Sequence, residues 1–86
     1  MIKEKTIQVV NDFGVPFNVR IHEKNSKKIV SFYDARYEHT EYGQFIASYY
    51  ADTIAEHDNK LILYLDIENW QVSHENIKEI QKHLNW

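Results

Sequence analysis

Seven of the twelve aromatic residues lie within the nineteen positions from Phe32 to Tyr50, FYDARYEHTEYGQFIASYY, and that concentration makes the run the expected centre of both core and interface. The constraint is tight because a chain of 86 residues buries only about 60% of the surface its unfolded form exposes. There is no cysteine, so no disulfide framework supports the fold and thiolate chemistry is excluded, whether nucleophilic or metal-binding. A compact aromatic core in one domain spanning 1-86 is the expected solution.

Local patterning divides the chain. Lys5 to Val10 and Phe17 to His22 alternate apolar with polar residues, as half-buried strands do, with Ile7, Val9, Phe17, Val19 and Ile21 inward. Between them Asn11 to Pro16 combines turn formers with a proline that suits the start of a strand. A tight turn near Asn25 and Ser26 leads to a third strand, Ile29 to Tyr33. From Tyr42 the apolar residues Tyr42, Phe45, Ile46, Tyr49, Thr53 and Ile54 fall at helical spacing, which predicts a helix over residues 41 to 57 with Thr40 as N-cap. Leu61 to Leu65 is apolar on both faces and reads as the central strand of the sheet. A second helix follows to about Leu84, opened by Ser73 as N-cap, with Val72 placed to staple Ile77. The predicted fold is therefore α+β, a mainly antiparallel four-stranded sheet with two helices on one face in the order β-β-β-α-β-α.

Charge narrows the functional classes. Ten basic against thirteen acidic residues give a net charge of −3, which weighs against broad phosphate-backbone binding and is too mild for a nucleic-acid mimic. The N-terminus lacks the apolar run of a signal peptide, and no stretch approaches the roughly 20 apolar residues of a membrane span, so a cytoplasmic protein is expected. His22, His39, His57, His74 and His83 are scattered without metal-ligand spacing, and two isolated glycines supply no phosphate cradle; neither a metal nor a cofactor is expected.

Three functional readings remain. Tyr50 sits about 100° around a helix from Tyr49 and falls off the core stripe, so with Tyr37 and Trp86 it forms a candidate contact surface joined by Glu38, His39 and Glu41. That reading is a non-enzymatic protein-binding module, with self-association through the same surface as its close relative. The second reading is a single-stranded nucleic-acid binder that uses Arg20, Lys24, Lys27 and Lys28. The third is a small hydrolase built on Asp34, His39 and Glu41, although no nucleophile elbow or oxyanion turn accompanies them.

The residues Phe32-Tyr33-Asp34-Ala35-Arg36-Tyr37-Glu38-His39-Thr40-Glu41-Tyr42-Gly43-Gln44-Phe45, then Ser48-Tyr49-Tyr50 and Trp70-Gln71-Val72-Ser73, resemble small uncharacterised proteins of Gram-positive phages and mobile elements. The resemblance spans about residues 29 to 85. It carries over no catalytic or binding residue, and it implies a compact binder that acts by occupancy, such as an inhibitor of a host nuclease or defence complex.

Overall fold

A computed structural model describes residues 4–55, 63–64 and 70–85 of the chain. Four strands, β1 (Glu4–Val10), β2 (Pro16–Lys24), β3 (Lys27–Asp34) and β4 (Gln44–Tyr50), form an antiparallel sheet in the order β1-β2-β3-β4. Helix α1 (Ala51–Ala55) follows directly, then a short ladder of β5 (Leu63–Tyr64) with β6 (Gln71–Val72), and then helix α2 (His74–Gln81).

The first three strands form where alternation placed them. Register sets Ile7 opposite Val19 and Val9 opposite Phe17, then Ile21 opposite Val30 and Val19 opposite Phe32. One face of the sheet thereby becomes continuously apolar, and Phe17, Val19, Ile21, Val30 and Phe32 are all fully buried. Ile54 of α1, Trp70, Val72, and Ile77 and Ile80 of α2 join the same cluster, so the helices cover that face and leave the other open. Each fully buried aliphatic or aromatic side chain stabilises by about 1.5–3 kcal/mol relative to an exposed one.

The region after Asp34 differs from the sequence expectation twice. Residues 44 to 50 form strand β4, not the body of a helix, and the helix is confined to Ala51–Ala55. Gly43 has φ +123°, a conformation incompatible with a helix running through it, and aromatic and β-branched residues dominate β4. Thr40 is a turn residue instead of a helix cap: its Oγ1 accepts from the Tyr42 N–H at 3.1 Å and donates to the Gly43 carbonyl at 2.7 Å. The apparent helical stripe arose because a β-bulge shifts the register between Phe32 and Tyr33, adding one residue to β4. Phe45 consequently packs on Tyr33 of the open face while Ile46, Ala47 and Tyr49 pack on the core.

The second difference concerns the expected central strand. Leu63–Tyr64 pairs with Gln71–Val72 in its own two-stranded sheet, and β3 takes β4 as its outer neighbour. Leu61, Ile62 and Leu65, like the expected helix end at His57 and Asn59, lie outside the described residues. The order is thus β-β-β-β-α-β-β-α, with the main sheet complete before the first helix.

Helix α2 starts as its sequence requires. Ser73 is the N-cap, and its Oγ accepts from the Asn76 N–H while Asn76 Oδ1 accepts from the Ser73 N–H, a reciprocal capping box. Val72 and Ile77, the staple pair, are both buried in the core cluster. Polar side chains then tie this C-terminal unit to the sheet. Asn11 Nδ2 donates to the Gln71 carbonyl at 2.9 Å, Asn76 Nδ2 donates to the Val10 carbonyl at 3.0 Å, and Lys28 Nζ donates to the Leu84 carbonyl.

The β2–β3 hairpin turns on Asn25 (φ 53°) and Ser26 (φ 65°), the two left-handed positions of a type I′ turn. Asparagine tolerates this conformation, but serine does so at a cost that glycine avoids. Ser26→Gly is expected to raise stability by about 0.5–1 kcal/mol in urea unfolding. An unchanged or lowered midpoint would contradict the turn assignment.

Candidate binding face

The uncovered face of the sheet is laid out by strand register. Glu4 stands opposite His22, His22 opposite Ile29, and Ile29 opposite Tyr50; one step along, Thr6, Arg20, Ser31 and Ser48 form the next row. Asn18, Tyr33 and Phe45 make a third row, while Lys24 and Lys27 face each other at the hairpin end.

Toward the β1 side the face is closed by its own side chains. Arg20 Nε donates to Glu4 Oε1, Tyr42 Oη donates to the same oxygen at 2.7 Å, and the guanidinium lies 4.9 Å from the Tyr42 ring centre. The Tyr42 ring rests on Tyr33 at 5.1 Å, and Tyr33 meets Phe45 edge-on at 5.6 Å. The electrostatic consequences agree: the Arg20 and Tyr42 hydrogen bonds hold the Glu4 carboxyl below its ordinary range. The bond to Glu4 also raises the Arg20 guanidinium and pushes the Tyr42 phenol up to about 12.

A polar ladder crosses the centre. His22 Nε2 lies 3.0 Å from Ser31 Oγ, which lies 2.8 Å from Ser48 Oγ. Burial, then the charge of Arg20, lowers the His22 pKa and favours the neutral ring. A serine beside a neutral histidine is two parts of a nucleophilic triad, but among the described residues no carboxylate hydrogen-bonds His22. Glu4, its cross-strand neighbour, is committed to Arg20 and Tyr42. The ladder therefore serves to satisfy Ser31, which is 2% exposed.

Beyond Ser48 the face opens. Tyr50 is 57% exposed, and its ring lies 5.7 Å from Lys27 Nζ. Shallow grooves surround it, one of about 340 Å³ lined by Lys24, Asn25, Lys27, Ile29 and Tyr50, and another lined by Ile29, Ser48, Tyr49, Tyr50 and Thr53.

The contact surface expected from sequence is divided by this geometry. Tyr37, Glu38, His39 and Glu41 are exposed in the β3–β4 connection, at the opposite end of β3 from Tyr50's partner Ile29. At about 3.3 Å per residue, positions 29 and 34 alone stand roughly 17 Å apart. Tyr37 packs locally, against the Arg36 guanidinium at 5.4 Å and the His39 ring at 6.4 Å. Trp86 lies outside the described residues. Tyr50 instead keeps company with Lys24 and Lys27, which sequence reasoning had assigned to a different function.

Asp34 is drawn away from catalysis. It is fully buried, and its carboxylate accepts from Arg36 Nη2 at 2.8 Å, from the Arg36 N–H at 3.0 Å and from Trp70 Nε1 at 2.8 Å. Burial alone would raise its pKa, but the Arg36 and Trp70 hydrogen bonds together outweigh that and leave it lowered. Among the described residues His39 and Glu41 are exposed and make no hydrogen bond to it. Among the described residues no group of three or more His, Asp or Glu is arranged to hold a metal ion, and no helix is long and apolar enough to cross a membrane.

Tyr33, Tyr42, Phe45, Ile29 and Ser48 belong to this face and were not assigned to it from sequence, Tyr33 lying buried beneath Tyr42 and Phe45. Tyr42 and Phe45 were absorbed into the core by the helical reading. The β-forming composition of residues 45 to 50 was the signal that placed them otherwise. No family model, curated protein or solved structure matches this chain.

Proposed function

We propose that this chain is a non-enzymatic protein-binding module whose contact centres on Tyr50 at the open end of the sheet face. The observation that carries this reading is Tyr50 itself, an aromatic left more than half exposed on a regular strand and surrounded by grooves. Amphipathic aromatics in such settings supply a disproportionate share of interface energy. The resemblance to small phage and mobile-element proteins favours a host partner blocked by occupancy, such as a nuclease or a defence complex.

The nucleic-acid alternative is weakened by the fate of its four cations. Arg20 is held by Glu4, and Lys28 donates to the Leu84 carbonyl, leaving Lys24 and Lys27 as the pair that faces solvent at the hairpin. Two lysines at one end of a face do not make a track for a phosphate backbone, least of all on a chain of net charge −3.

Affinity capture from a Gram-positive lysate, comparing the wild type with Tyr50→Ala and Tyr37→Ala, tests the proposal. Tyr50→Ala is expected to weaken partner retention by about 30-fold, equivalent to about 2 kcal/mol, with thermal unfolding unchanged. Tyr37→Ala should have little effect. Equal retention by the Tyr50 variant would sink the reading, as would retention of oligonucleotides in place of protein; light scattering would show whether the captured partner is a second copy.

A further inference from the structure

We infer that the Tyr50 patch receives an acidic, extended segment of a partner protein, a carboxylate between Lys24 and Lys27 and an apolar side chain against Tyr50 and Ile29. This rests on the reading of Tyr50 as the contact centre and adds the chemistry of what binds there.

The hairpin end of the open face carries two opposed lysines. Lys24 and Lys27 are direct cross-strand partners, and like charges placed opposite one another on a sheet repel. The type I′ turn between them, with Asn25 and Ser26 both at positive φ, fixes that opposition by register. Among the described residues neither lysine is in an ion pair. One row further, Glu23 stands opposite Lys28, but side chains alternate along a strand, so that pair belongs to the other face. Asp52 borders the adjoining groove without pairing with either lysine.

The remaining arrangement selects the ligand. A compact positive spot on a chain of net negative charge attracts anionic groups, and Ile29 and Tyr50 lie at the next positions of the same face. Moving inward along the face, the next basic groups are His22, whose pKa burial lowers, and Arg20, whose guanidinium is closed by Glu4. Positive charge therefore ends at the hairpin, which suits one or two carboxylates next to an apolar group and not a succession of phosphates.

The test is a titration of the isotope-labelled protein, followed by amide chemical shifts. Three probes are used: a capped peptide alternating glutamate and leucine, its analogue with glutamine for glutamate, and oligothymidylate. The glutamate peptide is expected to shift amides in residues 24–30 and 48–53 and to bind at least tenfold more tightly than the glutamine analogue at low salt. The double substitution Lys24→Gln with Lys27→Gln should abolish that preference. Equal binding of both peptides at the patch would overturn the acidic specificity while leaving Tyr50 as a contact. Absence of shifts there with either peptide would overturn the inference, and the capture experiment with Tyr50→Ala would then decide the broader reading independently. Tighter binding of oligothymidylate at the same amides would replace the peptide by nucleic acid.

Discussion

Gly43→Ala is expected to destabilise the protein by about 3–5 kcal/mol, which is large for the addition of a single methyl group. Two costs combine. The backbone at Gly43 has φ +123°, a conformation essentially reserved for glycine, and a Cβ built there would lie 2.3 Å from the Asp34 carbonyl oxygen and 2.9 Å from its carbon. Both obstacles are main-chain atoms at the end of β3, so no rotamer change relieves them. Urea unfolding monitored by circular dichroism measures the effect; a variant within about 1 kcal/mol of the wild type would show that the two strands do not approach this closely. Gly14 offers the contrast, since among the described residues nothing lies within 4 Å of a Cβ there, and its positive φ of 79° is what opposes substitution.

Asp34→Ala is expected to cost about 3 kcal/mol, chiefly by leaving the buried Trp70 indole N–H and the Arg36 backbone N–H without their acceptor. The Arg36 guanidinium adds less, because its side chain is 43% exposed and water replaces the lost partner. Asp34→Asn keeps an oxygen for Trp70 and should lose roughly half as much. The same residue sets an acid limit. Its folded pKa lies below the unfolded value of about 3.9, so the stabilisation is complete above that value and is lost as pH falls through the folded one. Melting temperatures between about pH 2 and 6 should therefore fall steeply at the acid end for the wild type and less steeply for Asp34→Asn. Parallel curves would assign the acid sensitivity to other carboxylates.

What could be read from the sequence follows the range of the interactions that decide each element. Strand β2 was legible because Phe17, Val19 and Ile21 alternate without interruption, and the start of α2 because Ser73 and Asn76 cap it locally. Strand β4 was not, because its pattern depends on an extra residue accommodated by β3, and the resulting skip of one position imitates helical spacing. The site shows the same division. Tyr50 stood out as a residue the core did not need, but its neighbours Lys24 and Lys27 are supplied by a turn more than twenty residues earlier, and only register brings them together. Asp34 looked chemical from its acidic neighbours, whereas its carboxylate is held by Arg36, two residues on, and by Trp70, 36 residues away.

The main sheet ends at Tyr50, while Trp70, Val72, Ile77, Ile80 and Leu84, which cover its apolar face, come later in the chain. Synthesis from the N-terminus therefore delivers a complete set of strands before their cover exists. During that interval Phe17, Val19, Ile21, Val30 and Phe32 have only α1 to shield them, and the nascent protein is at its most adhesive. A chain truncated after residue 55 would hold every strand of the main sheet without that cover and should aggregate far more readily than the full chain.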